Sequence, residues 1–126
     1  QNNVQNWYGV GTNLSHQELM WMRIKSDALL FPSGSEGFGY PPLESMACGT
    51  KVLCSNLASH NELMPDNSCI TADDIAAWRK AIVEIHSQWK QSDGPIAADQ
   101  ELIQHSRNFS MSVFNESMAE AYSMME

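Results

Sequence analysis

Positive charge is scarce in this chain. Seven lysines and arginines stand against fifteen acids, a net charge of −8 over 126 residues. That balance argues against non-specific binding to nucleic acid or to anionic membranes. A phosphate-bearing ligand stays open, because backbone N–H groups bind phosphate without a basic surface. Cysteine is sparse too: Cys48, Cys54 and Cys69 are odd in number and form no C-x-x-C pair. Each lies in or beside an apolar run, which reads as reduced structural thiols in a cytoplasmic protein rather than ligands or disulfides. No apolar stretch approaches the length of a bilayer span, and no signal-peptide pattern is present. His16, His60, His86 and His105 are scattered without a triad pattern and read as helix-surface or capping residues. His60 is the one to watch, because it follows a strand close to the motif described below. Ser33 and Ser35 lack a partner base, which argues against a nucleophilic role.

What is present is the composition of one globular domain with a modest core, 43% apolar and 17% charged. The start at Gln1, without a methionine, reads as part of a longer or processed chain. Residues 4–10 (VQNWYGV) are strand-like and end in Gly9 and Gly11. Ser15 and Glu18 spell a capping box, with Leu14 placed to staple onto Leu19, so a helix is expected over 16–25. Ala28-Leu29-Leu30-Phe31 is a short apolar run closed by Pro32, as expected of a strand buried on both faces. After a loop over 34–40, Pro41-Pro42 can open a helix over 43–48, which Gly49 would stop. KVLCS (51–55) is the next strand, followed by a short helix over 59–64 and a strand over 68–70.

Thr71 with Asp74 repeats the capping logic, with Ile70 expected to staple onto Ile75. Ile75, Trp78, Ile82, Ile85 and Trp89 mark one face of a long helix. A weaker helix covers 99–106, and a last one starts at Ser110 with Met111, Phe114, Met118, Tyr122 and Met125 in a stripe. The methionines and Trp21, Trp78 and Trp89 recur at helical spacing and read as core. Strands alternating with helices predict an α/β fold, a parallel sheet with helices on both faces. About four strands is few for such a sheet, as though its first half were missing.

Within this order the stretch EGFGYPPLE sets Glu36 and Glu44 around two glycines and two prolines. The prolines exclude one continuous helix, so the spacing is not helical. The loop follows the carboxyl end of a buried strand and enters a helix N-terminus, the place where open α/β sheets bind ligands. Gly37 and Gly39 allow close backbone approach, and the helix N–H groups and dipole favour a diphosphate. Glu44, in the first turn, can accept two hydrogen bonds from a vicinal diol such as a ribose. On the residues alone a second reading stands beside this one: Glu44 complements the dipole, and Glu36 is an exposed loop acid.

The run SDALLFPSGSEGFGYPPLESMACGTKVLCSN (26–56) resembles the nucleotide-sugar half of retaining glycosyltransferases of the GT-B fold. The matching family is the large one that includes sucrose and glycogen synthases and bacterial mannosyltransferases. Its E-x(7)-E signature is matched by Glu36 and Glu44, with the GFG-x-P core and the following MA-x-GT-x-V also in place. The resemblance extends more loosely from WYGVGTNLSHQEL to RNFSMSVFNESMAEAY.

The resemblance implies a Rossmann-like sheet, with residues 1–126 as the C-terminal portion of a GT-B donor domain. A terminal helix over 110–125 would pack on a first domain outside this sequence. Without that domain the stripe is expected to be exposed, exchanged with another chain, or packed on the sheet. Glu36 becomes the catalytic-site acid, hydrogen-bonding the donor sugar near the transferring carbon. The amides of Phe38, Gly39 and Tyr40, beside Gly37, contact sugar and diphosphate, and Glu44 binds the ribose. The turn after Trp7-Tyr8-Gly9-Val10 is placed near the base.

The parent is expected to transfer a hexose, with GDP-mannose as candidate donor, to a polysaccharide or glycolipid acceptor bound by the first domain. The family needs no cofactor or metal, in keeping with the lack of a D-x-D motif. The resemblance also allows peripheral membrane association of the parent and self-association of this part. The family uses an upstream Arg and Lys to neutralise the leaving diphosphate. Arg23 and Lys25, on a helix expected to be partly solvated, offer no obvious substitute, so this chain alone is expected to be inactive. Two alternatives remain: a sugar-nucleotide epimerase of similar architecture, and a non-catalytic or regulatory interaction module.

Overall fold

The computed structural model describes residues 13–65 and 68–124. The expected strand over 4–10, the turn after Trp7 and Met125 lie outside the described residues. Helix α1, His16–Lys25, begins as its sequence dictates. The Ser15 N–H donates to Glu18 Oε2 at 2.8 Å and the Glu18 N–H returns to Ser15 Oγ at 3.3 Å. Two of the orphan donors of the first turn are thereby satisfied. The Ser15 hydroxyl, and then its N–H, hold the Glu18 carboxyl below its ordinary range.

Strand β1 is Ala28–Phe31, β2 is Lys51–Ser55 and β3 is Cys69–Ile70. They form a parallel sheet in the order β1-β2-β3, with Ala28 opposite Lys51 and Cys54 opposite Cys69. Between them run α2, Tyr40–Ala47, and α3, Ala58–Leu63; after them come α4, Ile75–Gln91, α5, Gln100–Ser106, and α6, Met111–Ser123. Parallel strands need such crossovers; here α2 and α3 cover one face of the sheet and α4 covers the other. On one face Met46, Val52, Cys54, Leu63 and Met64 form a core joined by Leu102 of α5. On the other, Leu53 meets Trp78 and Ile85 of α4. The α/β architecture expected from the alternation is therefore present, with three strands among the described residues. No helix among those residues is long and apolar enough to cross a membrane.

The segment after α4 ties the amino ends of the strands together. The Ile96 N–H donates to Asp27 Oδ1 at 2.8 Å, just ahead of β1. The Asp99 N–H donates to the Gly49 carbonyl at 2.9 Å, just ahead of β2. These bonds leave the carboxyl ends, Phe31 and Ser55, facing the opposite way toward the loop of Glu36.

Some expectations are corrected. Helix α2 starts at Tyr40, three residues earlier than expected, because Gly39 takes a left-handed turn with φ 97° and sets the entry there. Asp74 rather than Thr71 caps α4, its side chain accepting from the Ala77 N–H at 2.9 Å. The staple to Ile75 does not form, and that side chain is 74% exposed. Trp21, expected in the core, is 62% exposed, because α1 buries no residue. On α6 the stripe residues Met111, Phe114, Met118 and Tyr122 are exposed as well.

The three thiols are free. Cys54 is fully buried, with its sulfur 3.7 Å from that of Cys69 on the next strand. Burial, reinforced by the Cys69 thiol, pushes Cys54 up to about 12. An unfolded cysteine releases its proton near pH ~8.5. Below that pH both states hold the proton and this thiol confers no pH dependence. Above it the unfolded chain binds fewer protons than the folded one, so stability falls as pH rises toward 12. We expect urea midpoints to drop between pH 8 and pH 10, with a flatter slope in Cys54→Ala. Equal slopes would show that Cys54 is not responsible.

Candidate functional site

The site is assembled where β1 and β2 end. From Phe31 the chain turns through Pro32, and the Ser33 hydroxyl donates to the Ser35 carbonyl at 2.8 Å. The loop then passes Glu36, Gly37 and Phe38 on the exposed surface before Gly39 turns it into α2. Around Gly37 a Cβ would meet nothing within 4 Å, so that stretch of backbone is open to a ligand. The rings of Phe38 and Tyr40 lie 5.0 Å apart and tilted, both largely exposed.

The amides of this loop are its main chemical resource. None of the N–H groups from Gly34 to Tyr40 donates to an acceptor among the described residues. Unpaired amides in a turn are anion-binding groups. The helix contributes less than expected, for a local reason. Its second and third residues are Pro41 and Pro42, which have no N–H, and the Leu43 N–H is already spent on the Gly39 carbonyl at 3.2 Å. The donors available to an anion therefore come from the loop, with Tyr40 the last of them.

Because α2 starts early, Glu44 stands in its second turn rather than its first, and its role as a dipole partner weakens. What holds it is a cation from another helix. Arg23 Nη2 of α1 lies 2.5 Å from Glu44 Oε2, with side chains 16% and 36% exposed. Arg23 is anchored in turn, its carbonyl accepting from Thr50 Oγ1 at 2.6 Å. The guanidinium fixes one carboxylate oxygen, and Glu44 Oε1 has no partner among the described residues. Helix α1 is solvated as expected, but the Arg23 side chain is mostly enclosed and committed to Glu44. Sequence spacing gave no signal for this pair, which is built by packing α1 against α2.

Helix α3 supports the loop from the β2 side. Ser59 Oγ donates to the Glu36 carbonyl at 3.3 Å, so the Glu36 backbone is held while its side chain stays exposed. His60, expected on a helix surface, is completely buried. Its Nδ1 donates to the Ser55 carbonyl at 2.8 Å, and its ring lies 5.7 Å from that of Phe31. His105, half-buried on α5, donates from Nε2 to the Leu63 carbonyl at 2.9 Å.

Concavity alone would not locate this site. A hollow of about 650 Å³ lies at the outer edge of β1, between Leu30 and Trp89. A smaller, largely apolar one of about 180 Å³ lies behind α2, lined by Arg23, Pro41 and Ser45. Neither Glu36 nor Glu44 lines either hollow.

Comparison with known proteins identifies the family. Residues 3–101 match the family model described as "Glycosyl transferases group 1". The chain is 37% identical over 73 residues to the O-antigen chain mannosyltransferase RfbU of Salmonella typhimurium, covering 57% of this chain and 21% of that protein. It is 40% identical over 50 residues to O-antigen chain mannosyltransferase B of Escherichia coli, covering 40% of this chain and 13% of that one. It is 54% identical over 51 residues to the serotype-specific mannosyltransferase WbdA of Escherichia coli, covering 40% of this chain and 6% of the relative. The chain thus spans about a fifth or less of the length of these curated relatives. No solved structure matches it. A family match running from residue 3 to residue 101 covers most of the sequence, and this chain belongs to the glycosyl transferases group 1 family.

Proposed function

We propose that this chain supplies the nucleotide-sugar site of a retaining hexosyltransferase of the GT-B type, with GDP-mannose as the first donor to test. The observation that carries the reading is the set of unpaired loop amides from Gly34 to Tyr40 beyond the carboxyl ends of the strands, with Glu36 among them and Glu44 in the helix that follows. Amides of Phe38, Gly39 and Tyr40 hold the diphosphate. Glu44, with Oε2 fixed by Arg23, receives the ribose hydroxyls, and Glu36 holds the sugar. The mannosyltransferase names of the relatives support a mannosyl donor. The acceptor, a growing polysaccharide or glycolipid, binds an opposing domain, which also supplies the far wall of the open cleft. The reading assigns no metal: the leaving diphosphate is met by amides and by cations of the same polypeptide upstream. Self-association and peripheral membrane attachment belong to this proposal as properties of the exposed α6 stripe and of the parent.

The test uses a full-length transferase carrying this chain and a panel of GDP-, UDP- and ADP-sugars. Glu44→Ala removes charge-assisted hydrogen bonds worth about 1.5–3 kcal/mol, so the donor KM rises about ten- to a hundredfold. Arg23→Ala, which only frees the carboxylate, gives a smaller rise in the same direction. Parental KM values in Glu44→Ala, together with parental rates in Glu36→Ala, would remove the donor site from this loop. The regulatory-module alternative would then stand.

A further inference from the structure

The most unusual group near the loop is the imidazole of His60. It is 0% exposed, and its Nδ1 lies 2.8 Å from the Ser55 carbonyl oxygen. A carbonyl only accepts, so Nδ1 carries the proton, and in the neutral ring Nε2 keeps a lone pair. Among the described residues that lone pair has no partner. Leaving a buried acceptor unpaired costs about 1–3 kcal/mol, and native proteins seldom tolerate it without a reason. Ser45 Oγ and Ser55 Oγ are also buried without partners, but the atoms nearest Gly39 belong to His60 and Leu63.

Position supplies the reason. A Cβ built on Gly39 would stand 3.2 Å from His60 Cδ2 and 3.5 Å from Nε2, so the glycine rests on this edge of the ring. Phe31 packs against the ring from β1, and the preceding residue, Ser59, holds the Glu36 carbonyl. Two consecutive residues of α3 thus brace both ends of the segment 36–39. Gly39 is itself buried, and its N–H has no acceptor among the described residues. A glycine with an orphan donor thus rests against a ring with an orphan acceptor.

We propose that His60 is a positioning residue for the diphosphate loop. Its ring, tethered to Ser55, is the floor on which Gly39 turns, and its Nε2 takes the Gly39 N–H, in place of the diphosphate contact given to it above, when a nucleoside diphosphate settles on the exposed amides of Phe38 and Tyr40. This rests on the donor-site reading above. It adds a residue that never touches the donor yet sets how tightly the loop holds it.

The experiment again uses the full-length transferase. His60→Phe keeps the bulk beneath Gly39 but removes both nitrogens, and should raise the donor KM about tenfold, leaving the acceptor KM unchanged. His60→Gln places an amide oxygen near the position of Nε2 and should restore most of the loss. His60→Asn keeps only the tether to Ser55 and should not. Rescue by Asn and not by Gln would overturn the proposal, because the tether alone would then matter. Nitrogen-15 NMR of the wild-type protein, labelled at histidine, needs no variant to fold. The unprotonated Nε2 signal should move toward its hydrogen-bonded range on saturation with GDP. An Nε2–H tautomer, or a signal that GDP leaves in place, would also overturn it. If Glu36→Ala and Glu44→Ala lose activity while His60→Phe keeps the parental donor KM, only this inference fails. If both glutamate variants keep parental rates, the donor-site reading fails first.

Discussion

Glu36→Ala in the full-length transferase should lower kcat/KM for the donor sugar by about a hundredfold or more while leaving the melting temperature almost unchanged. The separation comes from how Glu36 is held. Its backbone is fixed by the Ser59 hydroxyl on its carbonyl, while its side chain is exposed and makes no hydrogen bond among the described residues. Removing an exposed, unpartnered carboxylate changes stability by no more than about 0.5 kcal/mol. Its proposed work is to hold sugar hydroxyls so that the anomeric carbon sits where the acceptor attacks. Misplacing a reacting centre by about 1 Å costs on the order of a hundredfold. Glu36→Gln keeps one acceptor oxygen and should retain more activity than Ala. Steady-state kinetics beside thermal melts decide the matter. A variant that loses its fold along with its activity would mean that Glu36 is structural, and one that keeps both would leave the sugar to another residue.

The opposite pattern is expected for residues that shape the loop without touching the donor, and this division was only partly legible in the sequence. Local chemistry read correctly where it is decided locally. Ser15 and Glu18 cap α1 because three residues bring their side chains to each other's backbone, and no tertiary contact is needed. KVLCS became a strand buried on both faces as expected, whereas ALLF lies at the sheet edge with Leu30 48% exposed, and Asp99 and Ser110 cap α5 and α6.

What escaped depends on distant packing. Arg23 and Glu44 are far apart in sequence and meet only because α1 lies beside α2. The burial of His60 depends on where Gly39 and Phe31 arrive, which no spacing encodes. The start of α2 is not encoded by proline tolerance in a first turn, which does not say which turn residue precedes it; the left-handed Gly39 does. Helical spacing points Trp21 toward the core, but spacing identifies a face and not what covers it.

The glycines turn these differences into a ranked stability series, with Gly49→Ala the largest loss. Gly49 ends α2 at φ 72°, a left-handed conformation that costs other residues roughly 1–2 kcal/mol. The added Cβ would stand 2.8 Å from Ala98 Cβ, 2.9 Å from the Asp99 nitrogen and 3.1 Å from Ala98 Cα. Those neighbours are backbone and a stub methyl, with no flexible side chain to move aside. Relief requires shifting the 98–99 segment, whose Asp99 N–H donates to the Gly49 carbonyl. Overpacking of this kind costs about 1–3 kcal/mol, and weakening the bond about 0.5–1.5 more. The sum, about 2.5–6.5 kcal/mol, is a large part of the 5–15 kcal/mol typical of a domain. Gly39→Ala should cost less, because its contacts at 3.2 and 3.3 Å are with the side chains of His60 and Leu63, which can give slightly. Gly34→Ala and Gly37→Ala, with open space around them, should be nearly neutral in stability. Urea denaturation of the four variants tests the order directly. Were Gly49→Ala to melt with Gly34→Ala, the junction of α2, β2 and the 98–99 segment would be looser than these distances require.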